Sequence, residues 1–340
     1  MPSRIPCRRS LSLRGPNTVV VATSSIASPS LAPASSVADG PWPSRNIHLI
    51  VPSGAGSTTD IVARLIAAKL SREFWQPFIV ENKPGLNGNI AADYVAKSDP
   101  DGCTFLVGTQ GIHAINRLVC KNMPFDPIED IDPVIIIARI PSLVSVSWAS
   151  STTTLDEFIR LARAWPGSYR FGSLGVGSMA HLSIELFKSM ASIDLEHVPH
   201  EGSVRLLTEL MVGHIDVTMD SLAVSRIFAK SNRIRPIAVS SATRCPLMPD
   251  IPTMAEAGVS GYEAVSWLTI AAPAKTPPAV IGKLNESVAR FIIRSPDGIQ
   301  RLQRLGAEPA GGSPEDMRRY VLAETEKWGK VAKFAGIEPE

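Results

Sequence analysis

Small hydroxyl residues and glycines cluster between a short apolar run and the start of a predicted helix. Residues 47–51 read IHLIV, and residues 53–60 read SGAGSTTD. The unpaired N–H groups and partial positive charge of a helix N-terminus attract an anion, and small residues let it approach the backbone. We therefore predict an anion-binding turn at Ser57, Thr58 and Thr59. The alternative is an ordinary turn between strand and helix, with Thr58, Thr59 or Asp60 as the helix cap.

A second turn of the same kind occurs in mid-chain. Residues 171–178 read FGSLGVGS and stand between a predicted strand and a predicted helix. Three glycines and two serines before a helix again favour binding of a carboxylate or phosphate. We predict that this second turn binds ligand through Ser173, Gly175, Gly177 and Ser178.

Other polar residues also follow predicted strands. Thr109, Gln110 and His113 come directly after the strand predicted to end at residue 108, and Ser203 and Asp220 follow two later strands. We predict that these five side chains contact the ligand. Two alternatives stay open: His113 is a structural histidine, or Asp220 caps the next helix.

The motifs of several other chemistries are missing. The turn at residues 53–60 has neither the Gly-Lys-Ser/Thr of a phosphate-binding loop nor the third glycine of a dinucleotide site. No G-x-S-x-G elbow and no metal-ligand spacing is present, so we expect binding without catalysis, metal or cofactor. A hydrolase that uses Ser178, His181 and Asp220 remains the alternative from another class.

The elements that must position these residues alternate between strand and helix, and the alternation restarts near residue 169. We predict an α/β protein with two lobes, each a mostly parallel sheet flanked by helices. Lobe 1 is expected at residues 41–140 plus 266–340, and lobe 2 at residues 141–265. A ligand then lies between the lobes, at the carboxyl ends of the strands.

Composition limits the remaining possibilities. The net charge of the 340 residues is +2, and 19% of them are charged. The chain therefore lacks the strongly basic balance of a nucleic-acid-binding protein. The basic, Ser/Ala/Pro-rich residues 1–38 predict an export leader. Among the cysteines that follow the leader, Cys120 and Cys245 could form a disulfide, and the sequence does not decide whether they do.

Several short motifs recur in order along residues 42–338. They include VENKPG at Val80–Gly85, DPDG at Asp99–Gly102, PFDP at Pro124–Pro127 and PDIPT at Pro249–Thr253. In number and order they resemble those of the Bug-type receptors, the periplasmic solute-binding proteins of tripartite tricarboxylate transporters.

The resemblance implies a type II periplasmic-binding (Venus flytrap) fold whose lobes close on a small carboxylated acid. It implies ligand carboxylates held by backbone amides, hydroxyls and water, as well as a membrane permease as partner. We expect a monomeric, periplasmic receptor that is not an enzyme. A cytoplasmic ligand sensor of the same fold stays an alternative.

Four residues depart from the family's usual pattern. Ser53 replaces an aromatic residue, and Ser57 replaces a glycine in the first turn. His200 and Glu201 replace a Tyr-Lys pair. A Glu201 carboxylate in the cleft would repel an acidic ligand. The alternative is that both His200 and Glu201 face solvent.

Overall fold

The structure, a computed structural model, describes residues 42–339. The predicted leader at residues 1–38 lies outside this range. In the described range the strands are β1 (Ile47–Val51), β2 (Phe78–Asn82), β3 (Thr104–Thr109), β4 (Ile131–Ile140), β5 (Ser142–Ser147), β6 (Arg170–Ser173), β7 (Glu196–Pro199), β8 (Val217–Ser221), β9 (Ile234–Val239), β10 (Ser266–Pro273) and β11 (Glu308–Gly311).

Helices cover the faces of the sheets. They are α1 (Thr58–Phe74), α2 (Asn89–Ala96), α3 (Asn116–Val119), α4 (Leu155–Ala164), α5 (Met179–Ala191), α6 (Ser203–Met211), α7 (Leu222–Lys230), α8 (Pro278–Ala289), α9 (Pro296–Arg304) and α10 (Pro314–Phe334). Among residues 42–339, no helix combines the length and apolar character that a bilayer crossing requires.

The strands form two sheets. The first has the order β11-β4-β10-β3-β1-β2, and the second has the order β7-β6-β8-β5-β9. The first sheet takes its strands from the two segments predicted for lobe 1, and the second from the segment predicted for lobe 2. The predicted α/β class is confirmed.

The strand directions are mixed, so the prediction of mostly parallel sheets needs correction. β1 pairs in parallel with β2 and β3, and β6 with β7 and β8, but β10 and β5 are antiparallel to both of their neighbours. β5 and β10 are the strands that enter each sheet from the other one. They begin at the edge where β8 and β3 end, which makes the pairing antiparallel.

The apolar core runs from one sheet to the other. One cluster of buried residues contains Leu106 of the first sheet, Phe171 of the second and Trp328 of α10. Helix α10 packs on α5, although sequence placed these helices in different lobes. The C-terminal helix therefore joins the two sheets, and burial of its apolar side chains stabilises both.

The cysteines of the described range are not paired. Cys103, Cys120 and Cys245 are free thiols, so the disulfide that the sequence left open between Cys120 and Cys245 does not form. Arg45 donates from Nε to the Cys103 sulfur at 3.0 Å.

Candidate ligand-binding site

The first predicted turn is held by hydrogen bonds of its own residues. Ser57 is the N-cap of α1 and accepts from the Asp60 N–H at 3.2 Å, while its Oγ lies 2.6 Å from the Ser53 Oγ. The Asp60 carboxylate is buried and accepts from Gly56 and Arg64. These hydrogen bonds lower the pKa of Asp60 to about 2, and the one from Arg64 has the largest effect. The turn is therefore fixed before any ligand arrives.

The second predicted turn is built in the same way. Ser178 is the N-cap of α5, accepts from the His181 N–H at 3.2 Å and donates to the Gly175 carbonyl at 2.7 Å. Ser173 accepts from the Gly175 N–H at 3.1 Å and shares a 2.6 Å hydrogen bond with Nε2 of His197. Both turns thus present a serine-capped helix N-terminus.

Two stacked histidine rings lie behind the second turn. The centroids of His181 and His197 are 4.0 Å apart. His181 accepts from the Gly177 N–H through Nδ1 at 3.1 Å, which requires an unprotonated Nδ1. Burial is the largest cause that lowers the pKa of each ring to about 4, and the charge of Lys188 contributes. Neutral histidines therefore support the turn at neutral pH.

A cleft of about 440 Å³ lies between the two turns. Seven of the twelve predicted site residues line it: Thr58, Thr59, Thr109, Gln110, Gly177, Ser178 and Asp220. The helix N-termini of α1 and α5 therefore share one cavity. Its volume lies within the usual range for small-molecule sites.

The other five predicted residues do not line the cleft. Ser57, Ser173 and Gly175 hold the two turns from behind, and Ser203 donates to Asp220 Oδ1 at 3.0 Å. His113 is buried, with Nε2 2.8 Å from the Thr269 Oγ1 and its ring stacked on Trp267. Burial lowers its pKa to about 4. The position of His113 fits the alternative of a structural histidine.

Asp220 does not cap the helix that follows it. Helix α7 begins after Ser221 without a side-chain cap, and the Asp220 carboxylate bonds instead to Ser203 at the start of α6. Among the described residues that line the cleft, Asp220 is the one ionisable side chain. Burial is the largest cause that raises its pKa, against the opposing effects of Ser203 and the Ser221 N–H.

Several lining residues were missed by the sequence interpretation. They include Asn87, Asn116, Ser142, Ser221, Ser266 and Trp267. Asn116 donates to the Asn87 carbonyl at 3.1 Å and to Asn89 Oδ1 at 2.6 Å, which ties two loops together. Asn87 follows the VENKPG motif at Val80–Gly85, and the motif gives Asn87 no contact with a ligand. Trp267 lies among the apolar residues of β10, and nothing in the local sequence distinguishes it from a core residue.

A buried carboxylate organises one wall of the cleft. Glu324 of α10 is 5% exposed, and its Oε2 accepts from Gln110 Nε2 at 3.2 Å, Trp267 Nε1 at 3.3 Å and Trp328 Nε1 at 2.9 Å. Its Oε1 pairs with Lys327. Because an amide nitrogen must face an acceptor, Glu324 fixes which end of the Gln110 amide is the oxygen.

The departures at residues 200 and 201 lie away from the cleft. Glu201 is exposed, and neither His200 nor Glu201 lines the cavity. The solvent-facing alternative is therefore correct for Glu201. The repulsion that its charge would cause does not arise.

The hydrolase alternative has no geometric support. The His181 ring accepts from the Gly177 backbone, while Ser178 Oγ donates to the Gly175 carbonyl. Asp220 bonds to Ser203, not to a histidine. A nucleophile needs a base within hydrogen-bond reach, and these three residues do not form such a chain.

Solved structures of known proteins share this fold. The chain is 47% identical to the R. palustris protein Rpa4515, solved with adipate, with a TM-score of 0.77 over 88% of this chain and 100% of that one. The structure of the periplasmic binding protein BugD is 26% identical, with a TM-score of 0.72 over 88% of this chain and 100% of that one. The predicted periplasmic-binding fold is confirmed.

Relatives known from sequence give the same assignment. A Pseudomonas sp. (strain P51) protein, described as a UPF0065 protein in the tcbD-tcbE intergenic region, is 35% identical over 85% of this chain and 86% of its own length. Residues 62–337 match the model of the tripartite tricarboxylate transporter family receptor. The resemblance in the motifs is thereby confirmed, and so is the expectation of a receptor and not an enzyme. The chain belongs to the tripartite tricarboxylate transporter family of receptors.

Proposed function

We propose that this protein captures a small carboxylated organic acid by closure of two lobes and delivers it to a membrane permease. Lobe 1 comprises residues 41–140 plus 266–340, and lobe 2 comprises residues 141–265. The observation that carries the proposal is the pair of serine-capped helix N-termini, α1 and α5, that line one cleft.

The two N-termini supply the attraction for the acid. Each carries roughly half a positive charge and free N–H donors, and no lysine, arginine or histidine is among the described residues that line the cleft. A ligand that contacts both N-termini binds better when the lobes approach each other. It therefore shifts the population toward the closed state that a permease would recognise.

The relative solved with adipate supports this ligand class. It is 47% identical to this chain, and the position of Glu201 leaves the cleft without the repulsion that the sequence had raised. A thermal-shift and calorimetry screen of dicarboxylic, tricarboxylic and aromatic acids tests the proposal. We expect at least one acid to bind in a one-to-one ratio. If none of the acids in the screen binds, the proposal is contradicted.

We expect replacement of the cap at the second turn to weaken binding. Ser178→Ala removes the acceptor for the His181 N–H, which costs about 1 kcal/mol of stability and roughly fivefold in affinity. Ser313→Ala is the matched control, because Ser313 caps α10 by the same bond to Asp316 N–H at 3.1 Å and does not line the cleft. Urea unfolding and calorimetry with adipate measure both effects. Equal affinity of the two variants would contradict the role of α5.

A second pair of variants tests whether the close approach of the second turn to helix α3 matters for binding. Gly177 has φ +73°, and a Cβ there would lie 2.6 Å from the Cγ1 of Val119 on α3. Gly177→Ala is expected to weaken adipate binding by roughly tenfold, since overpacking costs about 1–3 kcal/mol.

Gly175→Ala is the control for that substitution. Gly175 has φ +107°, but a Cβ there meets no atom within 4 Å. Both variants strain a left-handed turn, so calorimetry that gives them the same affinity would show that the contact with Val119 does not matter.

The cellular placement of this chain is part of the proposal. Members of the family are periplasmic binding proteins. We propose that residues 1–38 direct export and are removed, and that the mature receptor is a monomer. N-terminal sequencing of the protein from its native host is expected to find a start near Asp39. An intact Met1 would favour the cytoplasmic sensor.

A further inference from the structure

Asp220 keeps one carboxylate oxygen free in a place where proteins rarely leave one. Asp220 lies near the C-terminal end of β8, lines the cleft and is 3% exposed. Oδ1 accepts from Ser203, whereas Oδ2 makes no hydrogen bond with any described residue. A buried acceptor without a partner is unfavourable, so a ligand group that pairs with it gains affinity on binding.

Gln110, which directly follows β3 of the first sheet, shows the same feature. It is 3% exposed and lines the cleft, and Glu324 holds its amide nitrogen. Its Oε1 is buried and has no partner among the described residues. The cleft therefore combines helix N-termini, which attract carboxylates, with two unpaired acceptors, which do not attract them. One acceptor belongs to β8 of the second sheet and the other directly follows β3 of the first.

We infer that Asp220 makes this receptor prefer acids that present a hydrogen-bond donor besides the carboxylate that the helix N-termini hold. The donor is a hydroxyl, an ammonium group or a protonated second carboxyl group. This inference rests on the proposed function, because it divides the small carboxylated acids into favoured and disfavoured members.

The physical reason is the charge balance of the cleft. An acid with a bare chain would bring its negative charge toward Asp220 in a site of low dielectric, where like charges repel strongly. A donor at the same place pairs Oδ2 instead. A hydrogen bond to a charged group contributes about 1.5–3 kcal/mol, which corresponds to roughly tenfold to a hundredfold in affinity.

A purely structural role for Asp220 makes a different prediction. If the carboxylate served only to hold Ser203 at the start of α6, its replacement would lower stability and leave the order of ligand affinities unchanged. The order within a set of acids of equal chain length therefore separates the two roles.

The experiment uses calorimetry on matched acids with the full protein. One set is succinate, malate and aspartate, another is glutarate, 2-hydroxyglutarate and glutamate, and a third is adipate and 2-aminoadipate. We compare the acids within the set that binds best at pH 7.5. In that set we expect the hydroxy or amino acid to bind at least tenfold more tightly than the unsubstituted acid. If the bare acid gains the same factor only at lower pH, with proton uptake, the protonated carboxyl is the donor used.

The variant Asp220→Asn removes the negative charge of the carboxylate and introduces an amide group, which can donate hydrogen bonds. We expect this variant to bind the bare acid as well as or better than the hydroxy and amino members. Ser203→Ala is the control, because it removes the partner of Oδ1 and keeps the charge. It should retain the wild-type order, so the wild-type and Ser203→Ala data decide the matter even if Asp220→Asn does not fold.

Equal affinities within every set, or a wild-type order preserved in Asp220→Asn, would overturn this inference and leave the proposed function intact. If none of these acids nor any acid of the wider screen binds the wild-type protein, the proposed function fails as well.

Discussion

Replacing Glu324 with alanine is expected to lower the free energy of unfolding by about 3–5 kcal/mol. The substitution leaves the Nε1 groups of Trp267 and Trp328 and the Gln110 amide without their shared acceptor, and it removes the partner of Lys327. These donors are buried or half-buried, so water cannot replace the carboxylate. Because Gln110 and Trp267 line the cleft, binding of the acid that the screen selects should weaken as well.

Urea unfolding at pH 7.5 measures this effect. Glu326→Ala is the matched control on the same helix, because its carboxylate is 70% exposed and pairs only with the exposed Lys330. We expect that control to leave the free energy of unfolding nearly unchanged, because exposed ion pairs contribute little to stability. A loss below 1 kcal/mol in Glu324→Ala would show that Glu324 does not organise this wall.

The second large effect is a loss of stability in mild acid. The pKa of His113, of His181 and of His197 is lowered from 6.5 to about 4, chiefly by burial. Below pH 6.5 the unfolded chain therefore binds protons that the folded protein refuses, and stability falls as the pH falls toward 4. For His113, which is fully buried, the full effect is about 3 kcal/mol.

Unfolding free energies at several pH values between 7.5 and 5 test this sign. In His113→Asn the stability should fall with pH less steeply than in the wild type, by up to about 1.4 kcal/mol per pH unit. His214→Asn is the control, since the His214 side chain is 70% exposed. Parallel pH dependence of the wild type and His113→Asn would contradict the assignment of a neutral, buried His113.

The same titration bears on the second turn. His181 accepts from the Gly177 N–H only while Nδ1 is unprotonated, and two charged rings 4.0 Å apart would repel each other. We therefore expect acid to loosen the turn that lines the cleft. This effect should appear as weaker ligand binding below pH 5, before global unfolding.

Sequence predicted the two turns well, and the reason is local. A run of small hydroxyl residues and glycines after an apolar strand can form only a few backbone conformations, and serine at the N-cap follows from hydrogen bonding within four residues. The observed N-caps are Ser57 and Ser178. For the first turn the capping alternative named Thr58, Thr59 or Asp60, so the cap lies at least one residue earlier than that alternative expected. That the turns share a cleft followed from the repeated strand-helix units and the family resemblance.

The walls of the cleft were less predictable because they depend on contacts distant in sequence. Gln110 and Glu324 are 214 residues apart, and Trp267 is 57 residues from Glu324. Nothing in the spacing of these residues indicates a shared carboxylate. His113 was misleading for the same reason, since its partner Thr269 lies 156 residues away.

Strand direction was the other weak point. An α/β pattern predicts parallel neighbours when each strand returns to its own sheet. β5 and β10 arrive from the opposite sheet, so they run against the strands beside them. The restart of the strand-helix alternation near residue 169 indicated two lobes, but it did not indicate which strands would be neighbours in each sheet.

A crystal structure with the tightest-binding acid of the screen tests the central claim most directly. We predict one ligand in the cleft, with one carboxylate at the N-terminus of α1 near Thr58 and Thr59, and its other polar end near Ser178 at the N-terminus of α5. The two sheets should lie closer together than in the protein without ligand. A ligand bound elsewhere, or one that contacts only one of the two helix N-termini, would contradict the account.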